Sequence, residues 1–149
     1  RGMTMERTFH MLLYRAFHAQ RSRLQPCLRE LGLGPGQPKL LSYLSTHGPC
    51  RQRELADHFE IDPAAVCRML DALEKGGFVS RQPEEGSRRC DLFSLTTLGQ
   101  AATAAWKRRS KEVEELALTG FSPEERAQFS AFLQRAYHNL HTGGGSSHA

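Results

Sequence analysis

Apolar residues recur at three-and-four spacing from near the start of the chain. Phe9, Leu12, Leu13, Ala16 and Phe17 form one stripe, and Leu24 and Leu28 extend it. That period predicts a long amphipathic helix, interrupted or ended around Pro26, because proline lacks an amide proton and crowds the preceding turn. Leu33-Gly34-Pro35-Gly36 predicts a loop. Pro38 suits the first turn of a second helix, with Leu40, Leu41 and Leu44 turned inward and His47-Gly48-Pro49 as its stop. A short helix follows from about Arg51 to Phe59. Asp62-Pro63 opens another, since Asp is a good N-cap and proline at N1 gives up a donor that has no helical partner there. Its buried stripe is Val66, Met69, Leu70 and Leu73, and Gly76-Gly77 ends it.

The period then shortens to two. Phe78-Val79-Ser80-Arg81 reads as a strand, Pro83 to Ser87 as a turn, and Leu92-Phe93-Ser94-Leu95 as the return strand of a β-hairpin. Thr97 reads as the cap of a long Ala-rich helix over residues 98–118, carrying Trp106, Val113 and Leu116. Ser122-Pro123-Glu124-Glu125 is a capping box that opens a last helix. Phe129, Phe132, Leu133, Tyr137 and Leu140 line one face of it. The expected fold is therefore mainly α with a small β-hairpin wing: four helices, a hairpin, then two helices.

Composition bounds the function. At 149 residues and 39% apolar, the chain predicts one domain with a modest core, and a helical chain of this size is expected to bury further surface against a second copy. A net charge of +4 and a pI near 9.1 lean toward an anionic partner. Cys27, Cys50, Cys67 and Cys90 form no C-x-x-C pair, which argues against a zinc ribbon or a disulfide scaffold and makes a reducing cytoplasm the expected compartment. No apolar run approaches the ~18 residues of a membrane span. The histidines show no metal spacing: His10 and His18 lie eight apart, and a zinc site needs three or four convergent ligands. No metal, no cofactor and no membrane are expected. Nor is an enzyme, for there is no nucleophile–base pair, Gly-rich phosphate loop or paired-carboxylate motif.

Gln52 to Met69 fits a helix-turn-helix. Leu55, Phe59, Ile61, Val66 and Met69 occupy the positions that build its shared core, and Ala56 falls where the two helices cross and little volume fits. Glu60 stands where glycine often makes the turn. The hairpin makes the unit winged, and Arg81, Arg88 and Arg89 are read at its tip, where guanidinium groups reach phosphates or enter a narrow minor groove. Arg51, Gln52 and Arg53 open the first helix of the pair, as backbone-phosphate contacts or as solvated surface. Arg68, near the start of the second, has two readings, guanine readout or phosphate binding. Ala64 and Ala65 suit apolar contact with a thymine methyl.

Glu54-Leu55-Ala56, Val66, the run Leu73-Glu74-Lys75-Gly76-Gly77-Phe78-Val79-Ser80-Arg81, Ser87-Arg88-Arg89 and Leu95-Thr96 together resemble the multiple antibiotic resistance regulator (MarR) family. That family's wing reads Asp-x-Arg, five residues, Leu-Thr, and the likeness covers nearly the whole chain. It departs at Ser87, where the family usually has an Asp that orients arginines. It departs again at Ala64, Ala65 and Cys67, where Ser or Thr is common, so direct hydrogen-bond readout is expected to be poor.

The resemblance implies a homodimer on a palindromic duplex operator, with a recognition helix in each major groove and a wing in each minor groove. It divides the chain into a winged lobe over 36–97, dimerisation helices over 4–33 and 98–141, and a flexible tail over 142–149. It implies a sequence-specific transcription regulator, a repressor released by a small aromatic or phenolic ligand or by oxidation. Tyr14, His18, Tyr43 and Trp106 are the candidate ligand contacts. Cys27 near Arg29 and Cys90 beside Arg89 are the candidate redox thiols. The alternative is a winged-helix protein-interaction module with little DNA affinity, a reading favoured by the bare recognition helix.

Overall fold

The computed structural model describes residues 7–86 and 90–143. Helix α1 runs Phe9–Leu31. Thr8 caps it by accepting from the Met11 amide, and Gly32 closes it in the left-handed region. Pro26 sits inside this helix, which corrects the expected break. Leu24 and Leu28 flank the proline and are both buried, so packing on either side of Pro26 offsets its missing hydrogen bond.

Helix α2 spans Gln37–His47 and buries Pro38, Leu40, Leu41 and Leu44 as expected. Helices α3 (Gln52–Phe59) and α4 (Pro63–Lys75) follow. Glu60 makes the turn between them at φ 54°, the one positive-φ non-glycine among the described residues. In that pose the Ile61 amide donates to the Ala56 carbonyl at 3.0 Å and ends α3. An L side chain pays about 1–2 kcal/mol there, more than the entropy that glycine would lose. Glu60→Gly is therefore expected to stabilise the fold by about 0.5–1 kcal/mol, read as a higher urea midpoint. An unchanged or lower midpoint contradicts it.

Leu55, Ala56, Val66, Leu70 and Leu73 join Leu40, Leu41 and Leu44 in one core, with Phe59, Ile61 and Met69 half-buried at its edge. The sheet is antiparallel and has three strands in the order β1-β3-β2, from β1 (Cys50–Arg51), β2 (Val79–Pro83) and β3 (Asp91–Leu95). Sequence reasoning predicted the hairpin and missed β1. Its two residues are too short for an alternating pattern, yet Cys50 pairs with Phe93 and Arg51 with Leu92.

Cys50 points into the core, and burial, then the Glu54 carboxylate, push its thiol up to about 11 from 9.0. The folded chain thus holds a proton that the unfolded chain releases earlier. Stability contributed by the neutral thiol is complete below pH 9 and is lost as pH climbs toward 11. In Cys50→Ala that part of the alkaline loss should vanish, so its stability deficit against the parent narrows between pH 9 and 11 in urea titrations. A constant deficit refutes this.

Helix α5 runs Thr97–Ala117 and α6 runs Pro123–Thr142. The cap of α5 is Thr96 rather than Thr97. Its Oγ1 accepts from the Gly99 amide at 3.0 Å and donates to the Gly77 carbonyl at 2.5 Å, joining the helix to the start of β2. Packing divides the chain at Val113 into two units. Within the second, Thr119-Gly120-Phe121 turns the chain, the Ser122–Glu125 capping box starts α6, Arg126 pairs with Glu115 at 3.0 Å and Phe121 stacks on Phe129. Helix α6 has no buried residue, and Phe129, Phe132, Leu133, Tyr137 and Leu140 are all exposed. Phe9, Leu12, Leu13 and Phe17 of α1 are exposed too. No helix among the described residues is long and apolar enough to cross a membrane.

Candidate nucleic-acid interface

The expected interface residues fall on three elements. Arg51, Gln52 and Arg53 start α3, and Ala64, Ala65 and Arg68 lie in the first half of α4. Ala64 and Arg68, one turn apart, are exposed, and Ala65 is half-buried. Arg53 is 90% exposed and only loosely paired, 3.9 Å from Asp57, so its charge is available to an external anion. Gln52 donates from Nε2 to the Pro63 carbonyl at 3.1 Å, which ties the start of α3 to the start of α4. Arg51 is ion-paired with Glu84 at the far end of β2.

Arg81 departs most from expectation. It lies mid-hairpin on β2, not at the tip. Its guanidinium sits 2.6 Å from Asp71 and 3.4 Å from Glu74, both on α4, and 3.6 Å from Asp91 on β3. It also lies 4.8 Å from the centre of the Phe93 ring. The hydrogen bond to Asp71 outweighs desolvation and holds the group more firmly protonated than usual. Three carboxylates and a ring face occupy this arginine, so it braces the wing against the recognition helix. Ser87, Arg88 and Arg89 lie outside the described residues.

A second feature of the first unit is a cleft of about 830 Å³. Of the four candidate ligand contacts, Tyr43 and Trp106 line it, together with Phe17, Arg21, Lys39 and His58. Tyr14 and His18 do not. They stack on each other at 5.9 Å on exposed α1, His18 one residue round from Phe17 and Tyr14 a turn before it. At the cleft α1 presents Phe17, Gln20, Arg21 and Leu24; the stripe read from the sequence held Phe17 and Leu24 and missed Gln20 and Arg21, which the same helical spacing places beside them. The Tyr43 ring stacks on His47 (3.9 Å) and meets His58 at a tilt (4.6 Å), and its hydroxyl donates to Glu54 at 2.8 Å.

The redox candidates fare differently. Cys27 is half-buried, and burial, then the Glu30 carboxylate, raise its thiol pKa. That is the opposite of an activated thiolate: burial and Glu30 outweigh Arg109 and Arg108, and Arg29, the neighbour the sequence suggested, is not among the groups that act on it. Cys90 is half-buried and its carbonyl accepts from the Glu84 amide at 3.0 Å. All four cysteines are free, and among the described residues no group of three or more His, Cys, Asp or Glu is arranged for a metal.

Two short helices crossed around Ala56, a second helix with an exposed outer face and a braced three-stranded wing define a winged helix-turn-helix protein. The sequence model of the MarR family matches residues 33–90. The chain is 33% identical over 96 residues to the HTH-type transcriptional regulator YxaD of Bacillus subtilis, covering 64% of this chain and 67% of that one. Its fold matches S. aureus MepR in complex with DNA at a TM-score of 0.83, with 23% identity over 90% of this chain and 99% of that one. It also matches a mutant MarR from E. coli complexed with operator DNA at 0.75, with 24% identity over 84% and 90%. The chain belongs to the MarR family, and with it to the winged helix-turn-helix transcription regulators.

Proposed function

We propose that two copies of this chain repress transcription from a palindromic duplex operator, and that a small aromatic anion in the cleft releases them. The observation that carries the DNA reading is the outer face of α4, where Ala64 and Arg68 stand clear of the core, with the exposed and only loosely paired Arg53 on the other helix of the pair. Small side chains let the helix approach base edges closely, while Arg68 supplies the long donor. MepR and MarR, similar in fold, have been crystallised on DNA. The exposed apolar faces of α1 and α6 support dimerisation, since apolar surface on that scale is rarely left to water. The cleft supports ligand control over oxidation: aromatic walls with Arg21 and Lys39 suit an aryl carboxylate or phenolate, whereas the Cys27 thiol is raised, not activated.

Titrating the protein into labelled duplex from its own upstream intergenic region tests this by fluorescence anisotropy. Binding that salt weakens and that survives excess random DNA is the expected result. Sedimentation should give twice the 16.7 kDa chain mass at micromolar concentration. A monomer, or a loss of binding to random competitor, overturns the proposal. The bare recognition helix favours a second reading, a protein-interaction module, which predicts no duplex affinity at any salt.

A further inference from the structure

Arg51 joins two structures in one residue. It is the last residue of β1, paired across the sheet with Leu92, and it is the N-cap residue of α3. Glu84 lies at the other end of the wing. Its amide donates to the Cys90 carbonyl, the last described rung before the tip. The register puts Arg51, Leu92, Gln82, Glu84 and Cys90 on one face of the sheet, because residues directly opposite share a face and alternate residues return to it. Arg81 and Phe93 occupy the other face. The Arg51 guanidinium reaches along its face to the Glu84 carboxylate. Glu84 Oε2 is occluded from solvent and, among the described residues, accepts no other hydrogen bond. A cleft of about 460 Å³ walled by Pro49, Arg53, Glu54 and Leu92 lies alongside the pair.

We infer that Glu84 is a positioning residue: by holding Arg51 it struts the outer face of the wing to the start of α3, as Arg81 braces the inner face to α4. A half-exposed carboxylate with one oxygen occluded, on a surface that meets a polyanion, repels phosphate. Its use is geometric. With both faces tied, the strands of the wing cannot swing about the sheet edge, and their distance from the recognition helix is set before DNA arrives. Arg51 is then an anchor of the wing and not a phosphate contact. This rests on the DNA-binding reading above.

The two roles predict opposite signs. Arg51→Gln, Glu84→Gln and the double variant should each weaken operator binding by about the same factor, about fivefold, because they break one pair. Random-sequence affinity and the salt slope should stay as in the parent. Charge reversal, Arg51→Glu with Glu84→Arg, should restore operator binding. In the free protein, amides of β2 and β3 should exchange about fivefold faster in both single variants while those of α4 do not change. Tighter operator binding in Glu84→Gln, an unchanged affinity, or a salt slope lowered by about one in Arg51→Gln overturns the inference. If the parent binds no duplex, the DNA reading fails, and the exchange rates still judge the strut: unchanged wing exchange refutes it.

Discussion

Gly99→Ala should cost the fold about 3 kcal/mol, one of the larger effects a single methyl group can have. At an exposed mid-helix glycine the same change gains about 0.5–1 kcal/mol through helix propensity, so the expected sign is itself diagnostic. Gly99 is buried in the first turn of α5, and a Cβ built there would overlap the Phe78 carbonyl oxygen. That oxygen cannot retreat freely, because it accepts from the Thr96 amide at 3.1 Å. Leu95 closes the other side, with Cδ2 3.2 Å from the added atom. The helix would have to lift off the start of the wing, losing the Thr96 bonds to Gly77 and Gly99 together. Urea denaturation of Gly99→Ala beside Gln100→Ala, an exposed neighbour, measures the difference. Equal or greater stability for Gly99→Ala would mean that the close approach of α5 to Phe78 does not hold in solution.

Arg89→Ala should weaken operator binding by about 1–3 kcal/mol, roughly fivefold to over a hundredfold. The six-residue spacing from Arg89 to Leu95 matches the family's wing arginine. A guanidinium in a narrow A·T-rich minor groove gains from focused negative potential and reads sequence through groove width. Among the described residues, Arg81 and Arg51 are both engaged by carboxylates, so neither is offered as this contact. The loss should be larger on operators with A·T flanks than with G·C flanks. Arg88→Ala should instead weaken all sequences alike and lower the salt slope by about one. Anisotropy at fixed salt on both operator types decides it, and parental affinity on both would mean that the wing does not enter the groove.

Much of the fold was legible because helix periodicity is a local signal. The stripes of α2 and α4, the Ser122 capping box and the turn at Glu60 all follow from spacing within one element. What escaped depends on partners distant in sequence. Pro26 obeys a local rule that packing of Leu24 and Leu28 overrides. Strand β1 exists because β3 offers it an edge, and two residues carry no period of their own. Arg81 reads as a DNA contact in a linear motif, and only the fold brings Asp71, Glu74 and Asp91 around it. Tyr14 and His18 have the right chemistry for a ligand wall but lie beyond the cleft that Phe17 and Arg21 line.

The cleft borrows His58 and Phe59 from α3 and Met69 from α4, the two helices proposed above to meet DNA. Under the proposed function, the cleft and the operator therefore draw on the same two helices, and thermodynamic linkage applies in both directions. A ligand that lowers operator affinity a hundredfold, about 2.7 kcal/mol, must itself bind the operator-bound protein a hundredfold more weakly. Free protein then acts as a sink that captures the ligand first. The concentration at which release begins is set by the surplus of unbound dimer as well as by the cleft, so overproducing the protein should blunt the response while leaving the intrinsic ligand affinity unchanged.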